Sequence, residues 1–409
     1  MNTIEIEDIK PVTCNKANHT LDLEIHTSHV LTYNEFFFKY LIGNKPCVID
    51  SKITDDWASR SNFTLNDAPN FEFLRRVFGN AVVPVANCNK EYYNAQMKQS
   101  MTINEYIDYW IDYRNTNYSL DKPVLYLKDW HCVKNFPDVP LYEVPSFFAS
   151  DWLNEYYIAH PTELNDDYMF IYMGPKGSWT PLHVDVLTSY SWSANIIGKK
   201  RWLLFPPGEE NCLRDSHGHL PYDATSPEFN NRIKYKDYDT ESLKKLEIIQ
   251  DAGQIIFVPS GWHHQVWNLE DTISINHNWI NGCNIWNVWL ALQKGLLAVM
   301  KAVEDCQDMD DWVPHCQLLL KVSDGMDYSQ FYDFLLFIAR RRLNSLINKS
   351  EIISFKKWHL GTNHCLFDLG KIKTVLEHFI EDAKEKSVYS LFQFTDKPED
   401  LLNDINAVL

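Results

Sequence analysis

A histidine and an aspartate stand two residues apart in the segment TPLHVD, which covers residues 180–185. Residues two apart on a β-strand lie on the same face, so we expect His183 and Asp185 to point into one space. The chain of 409 residues contains no other His-x-Asp or His-x-Glu. A buried His–Asp hydrogen bond within a core is the ordinary alternative for such a pair.

A second histidine motif, PSGWHH at residues 259–264, follows a Gly-bearing turn and the apolar run IIFV. This order predicts a late barrel strand that returns a histidine to the mouth of the barrel. Two histidines and one carboxylate are the ligand set of non-haem Fe(II) oxygenases. They leave three metal positions open, two for a chelating 2-oxoacid and one for O₂. Zinc accepts the same three ligands, so the triad alone does not choose the metal.

The strand-like run GKKRWLLF at residues 198–205 carries a cation among apolar residues. By alternation, Lys200, Trp202 and Leu204 share one face. An inward lysine needs an anion, and the distal carboxylate of 2-oxoglutarate would satisfy it. The alternative is a solvated strand end in which Lys199, Lys200 and Arg201 all face water.

The elements that must position these residues follow from hydrophobic periodicity. Short β-branched and aromatic runs, without long helices between them, predict an antiparallel barrel or sandwich. They lie at residues 124–127, 170–173, 189–197, 201–205, 254–258 and 272–276. Between residues 208 and 250 the strand rhythm stops. That stretch is expected to be an insertion over one mouth of the barrel, ending in a helix at 241–249.

The regions on either side of these strands have a different hydrophobic pattern. Residues 1–120 read as a mixed α/β lead-in, with an aromatic-rich helix at 30–42 and a helix at 101–113 that Thr102 and Glu105 cap. Apolar residues at three- and four-residue spacing predict a helical region over 284–409. The domain prediction is therefore a lead-in at 1–120, a β domain at 121–283 and a helical region at 284–409.

Composition limits the classes of partner. Lys and Arg number 38 against 55 Asp and Glu, a formal net charge of −17, which argues against direct nucleic-acid binding or an anionic-membrane binder. The nine cysteines form no C-x-x-C pair, and neither a signal peptide nor a membrane-crossing run is visible. We expect a reducing compartment, the cytoplasm with the nucleus as the alternative. The oligomeric state is left open.

The motifs TPLHVD, GKKRWLLFPPG and AGQIIFVPSGWHHQVWNLEDTISINHNW together resemble the jumonji-C domain of 2-oxoglutarate oxygenases. The resemblance covers about residues 120–282, and the upstream NKPCVI is similar to the usual lead-in strand of the family. It implies a mainly β core with flanking helices, a double-stranded β-helix of the cupin or jelly-roll type. It also implies Fe(II), 2-oxoglutarate and O₂ as cofactor and cosubstrates.

Carried over residue by residue, the resemblance implies a ligand set and a catalytic centre. His183 and Asp185 match the His-x-Asp ligands, and His264 matches the third ligand. The family pattern there is Gly-aromatic-aromatic-His, and His263 takes the second aromatic position. That departure leaves the choice between His263 and His264 slightly ambiguous.

The resemblance also implies a 2-oxoglutarate site. Lys200 matches the cation that binds the distal carboxylate, and Thr180 resembles a hydroxyl that hydrogen-bonds the same group. Tyr126 resembles a barrel tyrosine with that role, and Asn278 a polar residue near the metal on the last strand. Ser193 stands where some relatives carry Asn and is not assigned to the site.

The activity implied by the resemblance is hydroxylation of a protein lysine, with the eukaryotic translation termination factor as substrate. A methyl-lysine demethylase would use the same machinery, although many demethylases carry His-x-Glu. A non-catalytic barrel that binds a partner through its C-terminal helices is a third reading. The intact triad with Lys200 counts against it.

Other chemistry-bearing residues give weaker signals. Cys212, His217 and His219 lie together in the insertion, but their spacing is poor for zinc and no fourth ligand is evident. By alternation His277 is expected to face away from the metal. The run Arg340–Arg342 is expected to be a solvated helix face.

Overall fold

The computed structural model describes residues 2–7, 23–161, 167–239 and 241–409. Its helices are α1 (Tyr33–Phe36), α2 (Ala58–Asn62), α3 (Phe71–Phe78), α4 (Ile103–Asn115), α5 (Cys132–Asn135), α6 (Trp152–Ala159), α7 (Ile285–Ala302), α8 (Trp312–Asp324), α9 (Tyr328–Asn348), α10 (Thr362–Glu385) and α11 (Pro398–Asn406). Its strands are β1 (Asn2–Ile4), β2 (Glu24–His26), β3 (Cys47–Ile49), β4 (Thr64–Leu65), β5 (Ala68–Pro69), β6 (Val82–Tyr92), β7 (Ala95–Thr102), β8 (Leu125–Trp130), β9 (Met169–Gly174), β10 (Trp179–His183), β11 (Tyr190–Ile197), β12 (Lys200–Phe205), β13 (Leu246–Gln250), β14 (Ile255–Val258), β15 (His263–Asn268), β16 (Thr272–Trp279), β17 (Ile353–Ser354) and β18 (Trp358–Leu360).

Two sheets face each other and form the β core. The larger has nine strands in the order β2-β3-β14-β11-β16-β9-β8-β6-β7, and the smaller has four in the order β10-β15-β12-β13. Val48 and Ile256 of the larger sheet pack against Trp202 and Val266 of the smaller one. The six predicted strands are confirmed, and so is a mainly β core with helices after it.

The space between the sheets is apolar along β3 and β14 and polar along β11 and β16. On β11 and β16 every second side chain is polar and faces this space, whereas the side chains between them pack outward and, except for His277, are apolar. We call the inward-facing side chains the polar row: Ser191, Ser193, Asn195, Ser274, Asn276 and Asn278.

Local signals in the lead-in region were read correctly. Thr102 and Glu105 form a reciprocal capping box at the start of α4, which confirms the predicted helix. The aromatic helix predicted at 30–42 is present as α1 followed by a wider, π-helical turn over Phe37–Ile42.

Two predictions for the segment 208–250 were wrong. The expected helix at 241–249 is instead β13, which pairs with β12 because Leu246, Ile248 and Gln250 are buried in a period of two. The segment as a whole does not close a mouth of the barrel. Its apolar residues pack on the outer face of the four-stranded sheet, against Leu203 and Phe205.

The C-terminal helices α7 to α11 form a second apolar cluster with α6. The prediction that Arg340–Arg342 is a solvated face was wrong for Arg342, which is 1% exposed. Its guanidinium bonds Asp368 Oδ2 at 2.8 Å and both carboxylate oxygens of Glu155 at 2.8 and 2.9 Å. This buried pairing joins α9 to α6 and α10.

The cysteines described by the structure are free thiols, and Cys14 lies outside the described residues. Among the helices that the structure describes, none is both long and apolar enough to cross a bilayer.

Candidate metal centre and 2-oxoglutarate site

The pairing of β10 with β15 brings the two histidines of the triad together. His183 lies directly opposite His264, and their ring centroids are 4.2 Å apart. The Nδ1 atom of His183 hydrogen-bonds the Pro181 carbonyl at 2.8 Å, and Nδ1 of His264 bonds the Trp262 carbonyl at 3.0 Å. A carbonyl only accepts, so both Nδ1 atoms carry the proton and both Nε2 lone pairs are free to bind a metal.

Asp185 completes the cluster. One ligand atom from each of His183, Asp185 and His264 lies within 4.8 Å of the others, the one such group among the described residues. Asp185 Oδ2 accepts a hydrogen bond from Ser191 Oγ at 2.6 Å, which orients the carboxylate. Burial, and then the neighbouring His264, lower the pKa of His183 to about 4, so this imidazole is neutral and able to coordinate a metal at neutral pH.

The structure places His263 away from this cluster. It lies opposite Phe205, on the outer face of the four-stranded sheet, and its Nδ1 is 3.9 Å from a Glu210 carboxylate oxygen. His264 lies on the inner face beside Trp202, with ring centroids 5.8 Å apart. The alternation of β15 therefore favours His264 as the third ligand.

Lys200 is buried between the sheets at 2% exposure. Its ammonium donates a hydrogen bond to Ser274 Oγ at 2.7 Å, and no carboxylate of the described chain pairs with it. Burial lowers its pKa to about 7. A buried ammonium without a counter-ion is unfavourable, which makes this a site for an anionic ligand.

The other residues assigned to 2-oxoglutarate lie along the same interior. Following β15, His264 belongs to the metal cluster, Val266 lies opposite Thr180, and Asn268 lies opposite Lys200. The side chain of Asn268 donates to Ser178 Oγ at 2.7 Å and lies close enough to the Tyr126 hydroxyl to lower its pKa, which places Tyr126 at the Lys200 end.

A glycine makes room for Tyr126. A Cβ atom added to Gly174 would lie 2.6 Å from the Tyr126 ring, so only glycine allows this close approach. Asn278 lies at the opposite, metal end, where it pairs with Ser191 and donates to Ser189 Oγ at 3.1 Å. The assigned residues thus extend from a deep cation to the metal cluster.

The interior offers further polar atoms that a ligand could satisfy. Ser193 Oγ and Asn268 Oδ1 are buried and make no hydrogen bond within the described structure. Sequence reasoning left Ser193 out of the site and missed the contacts of Ser191 and Ser274. The signal was available, because polar residues alternate with apolar ones along both β11 and β16. The three ligands, the unpaired ammonium and the unsatisfied oxygens fit Fe(II) chelated by 2-oxoglutarate.

The competing candidates do not converge on a site. His277 faces away from the metal cluster, as predicted: it stacks on Trp192 at 4.2 Å and its Nε2 is 2.5 Å from the Tyr142 hydroxyl. Cys212, His217 and His219 do not form a ligand group in the described part of the insertion.

The fold and the site define a cupin-like oxygenase. A family model described as a cupin-like domain matches residues 33–284. The chain belongs to the JmjC-type, cupin-like family of 2-oxoglutarate- and iron-dependent oxygenases. Its cofactor and cosubstrates are Fe(II), 2-oxoglutarate and O₂.

The chain is also similar to individual named proteins. The chain is 47% identical over 389 residues to the chicken (Gallus gallus) "2-oxoglutarate and iron-dependent oxygenase JMJD4", covering 92% of this chain and 90% of that protein. It is 44% identical over 380 residues to the human protein of the same name, covering 92% and 89%. It is also 41% identical over 350 residues to the Arabidopsis thaliana "Arginine-specific demethylase JMJ20", covering 82% and 72%.

Proposed function

We propose that this oxygenase hydroxylates a lysine side chain of a protein, with the eukaryotic translation termination factor as substrate. The observation that carries the oxygenase chemistry is the convergence of His183, Asp185 and His264 beside the unpaired Lys200. The choice of a lysine and of this substrate rests on the sequence resemblance. The acidic net charge of −17 agrees with a basic target. We propose the cytoplasm, or the nucleus as the alternative, as the location.

With iron and 2-oxoglutarate bound, the site supplies oxidative decarboxylation to succinate and CO₂ together with insertion of one oxygen atom into a substrate C–H bond. The residues of this chain orient the reactants and exclude water. Lys200 and Ser274 bind the distal carboxylate at the deep end. Ser191 holds the Asp185 carboxylate, and the two backbone carbonyls that bind the Nδ1 atoms fix the histidine tautomers.

Demethylation is the second candidate, and the similarity to a relative named as an arginine-specific demethylase favours it. Hydroxylation of an N-methyl carbon gives an unstable product that releases formaldehyde, so the same residues serve both reactions. The intact triad and Lys200 disfavour the third reading, a barrel that only binds a partner.

Mass spectrometry of the termination factor after incubation with the enzyme, Fe(II) and 2-oxoglutarate tests the proposal. We expect a lysine to gain one oxygen atom with stoichiometric succinate, and both signals to vanish in His183→Ala and Asp185→Ala. Loss of a methyl group with formaldehyde would favour demethylation instead. Full turnover in both variants would refute the metal assignment.

A further inference from the structure

Strand β8 carries a bulge beside the polar interior. Leu127 pairs with Met173 and Trp130 pairs with Ile171, so Lys128 and Asp129 together lie opposite the single residue Tyr172. Asp129 has a φ of 58°, a left-handed conformation that is unfavourable for a non-glycine residue. Bulges redirect side chains and are frequent beside active sites.

Tyr172 connects the bulge to the polar interior between the sheets. It pairs with Ser274, the partner of Lys200, so its side chain faces the same interior as the polar row. Burial and the nearby charges of Asp129 and Asp185 raise the pKa of Tyr172, and its hydroxyl therefore stays protonated as a donor. That hydroxyl donates to Asp129 Oδ1 at 2.6 Å. Asp129 is thus a carboxylate held at the edge of the polar interior that also contains the metal ligands, and its side chain is 35% exposed.

The Asp129 carboxylate is already paired with an ammonium of the enzyme itself. Lys98 Nζ lies 2.5 Å from Asp129 Oδ2, and the Lys98 side chain is 50% exposed. Lys98 is on β7, the edge strand of the sheet, and shares a face with Tyr126 because both pair with Ala86 of the intervening β6. A half-exposed ion pair of this kind is weak, so another cation can displace Lys98.

The second lysine of the bulge is differently placed. Lys128 is 8% exposed and its ammonium donates to Gln96 Oε1 at 2.8 Å. Gln96 in turn donates to the carbonyl of Trp179, at the start of β10. Lys128 therefore ties the bulge to the strand that carries His183, and Lys98 is the cation that can leave.

We propose that Asp129, oriented by Tyr172, binds the cationic head group of the target side chain, and that Lys98 holds this position in the free enzyme. The proposal rests on the proposed function, in its requirement for a cationic target. A lysine ammonium or a methylated guanidinium would both be recognised. Binding of the substrate exchanges one ammonium–carboxylate contact for another at the edge of the interior that contains the metal ligands.

The test is a comparison of KM and kcat for the termination factor in Asp129→Asn, Lys98→Met and the double variant. Asn is isosteric with Asp but lacks the charge, and we expect KM to rise roughly ten- to a hundredfold with a smaller change in kcat. Lys98→Met removes the competing ammonium, so KM should fall a few-fold, and should not fall in the Asp129→Asn background. The matched control is Asp112→Asn, which breaks the surface pair between Asp112 of α4 and Lys122 and should leave KM unchanged.

Each outcome is decisive. A KM in Asp129→Asn that stays within twofold of the wild-type value would overturn the proposal. A KM in Lys98→Met that rises as much as in Asp129→Asn would also overturn it, because the ion pair would then be a structural contact. If Asp129→Asn does not fold, Tyr172→Phe keeps the carboxylate but removes its donor and should raise KM in the same direction. Wild-type enzyme that leaves the termination factor unmodified refutes the proposed function instead, before any variant is compared.

Discussion

Replacing Lys200 with Met should stabilise the protein while disabling it. The ordinary lysine pKa is 10.5 and that of Lys200 is about 7, so at about 1.4 kcal/mol per pH unit the buried charge destabilises the fold by on the order of 4 kcal/mol at pH 7. The penalty is complete below pH 7 and disappears as the pH rises to 10.5. Loss of the hydrogen bond to Ser274 reduces the expected gain in stability by about 1 kcal/mol.

Bound 2-oxoglutarate makes the charge of Lys200 favourable rather than destabilising. The distal carboxylate of 2-oxoglutarate supplies the missing counter-ion, and removing one partner of a buried ion pair costs roughly 3–5 kcal/mol. Lys200→Met should therefore raise the 2-oxoglutarate requirement by a factor of roughly 150 to 5,000. No structural destabilisation explains a variant that is more stable and yet binds its cosubstrate so much more weakly.

Two measurements check the predicted gain in stability and the predicted loss of cosubstrate binding. They are urea unfolding of the metal-free protein and succinate formation across a 2-oxoglutarate titration. Lys199→Met is the matched control, because Lys199 is 40% exposed and pairs with Asp251 on the surface. It should change neither quantity appreciably. An unchanged KM for 2-oxoglutarate in Lys200→Met, or a lower stability of that variant, would refute the assignment of Lys200.

Four further predictions concern the interior and the helical region. In direct binding measurements, the affinity for 2-oxoglutarate should fall as the pH rises above about 7, because Lys200 must then take up a proton to bind; an affinity independent of pH up to 10 would contradict this. Ser191→Ala should weaken Fe(II) binding about tenfold in metal titrations, and an unaltered titration would remove Ser191 from the ligand's support. His263→Phe should bind Fe(II) as wild type does, whereas a lost titration would make it a ligand. Arg342→Met should lower the free energy of unfolding by roughly 3–5 kcal/mol, since the fully buried Asp368 carboxylate loses its arginine and Glu155 keeps only Arg341. The partly exposed Arg340→Met should cost at most about 1 kcal/mol; equal effects in urea unfolding would refute the difference.

Much of the fold could be predicted because period and capping are local signals. The alternation in β11 and β16 and the capping box at Thr102 depend only on neighbouring residues. The segment at 241–249 was misread because Leu246 and Ile248 fit a helical spacing as well as a strand. The neighbouring β12 decides between them by supplying a hydrogen-bonding edge, and a single sequence does not display that edge. The division of the chain at residues 120 and 283 stays a prediction.

The site was predictable where chemistry and spacing coincide, as in His183 and Asp185. Which of two adjacent histidines faces inward depends on strand register, and β15 was not expected to begin at His263. Asp129 was beyond reach for another reason. Its direction comes from a one-residue bulge and a positive φ, and neither leaves a mark in the local pattern of residue types.

Among the residues that the structure describes, the two most deeply buried cationic side chains show how a ligand site differs from a purely structural ion pair. Arg342 and Lys200 are 1% and 2% exposed, and both violate the rule that charges stay in water. Arg342 finds its carboxylates within the chain, on α6 and α10, so its charge is balanced by folding alone. Among the described residues, Lys200 hydrogen-bonds only a hydroxyl, so its buried charge destabilises the folded protein when no ligand is bound. Its retention at the end of a row of polar side chains is therefore explained by a ligand that arrives with the missing negative charge.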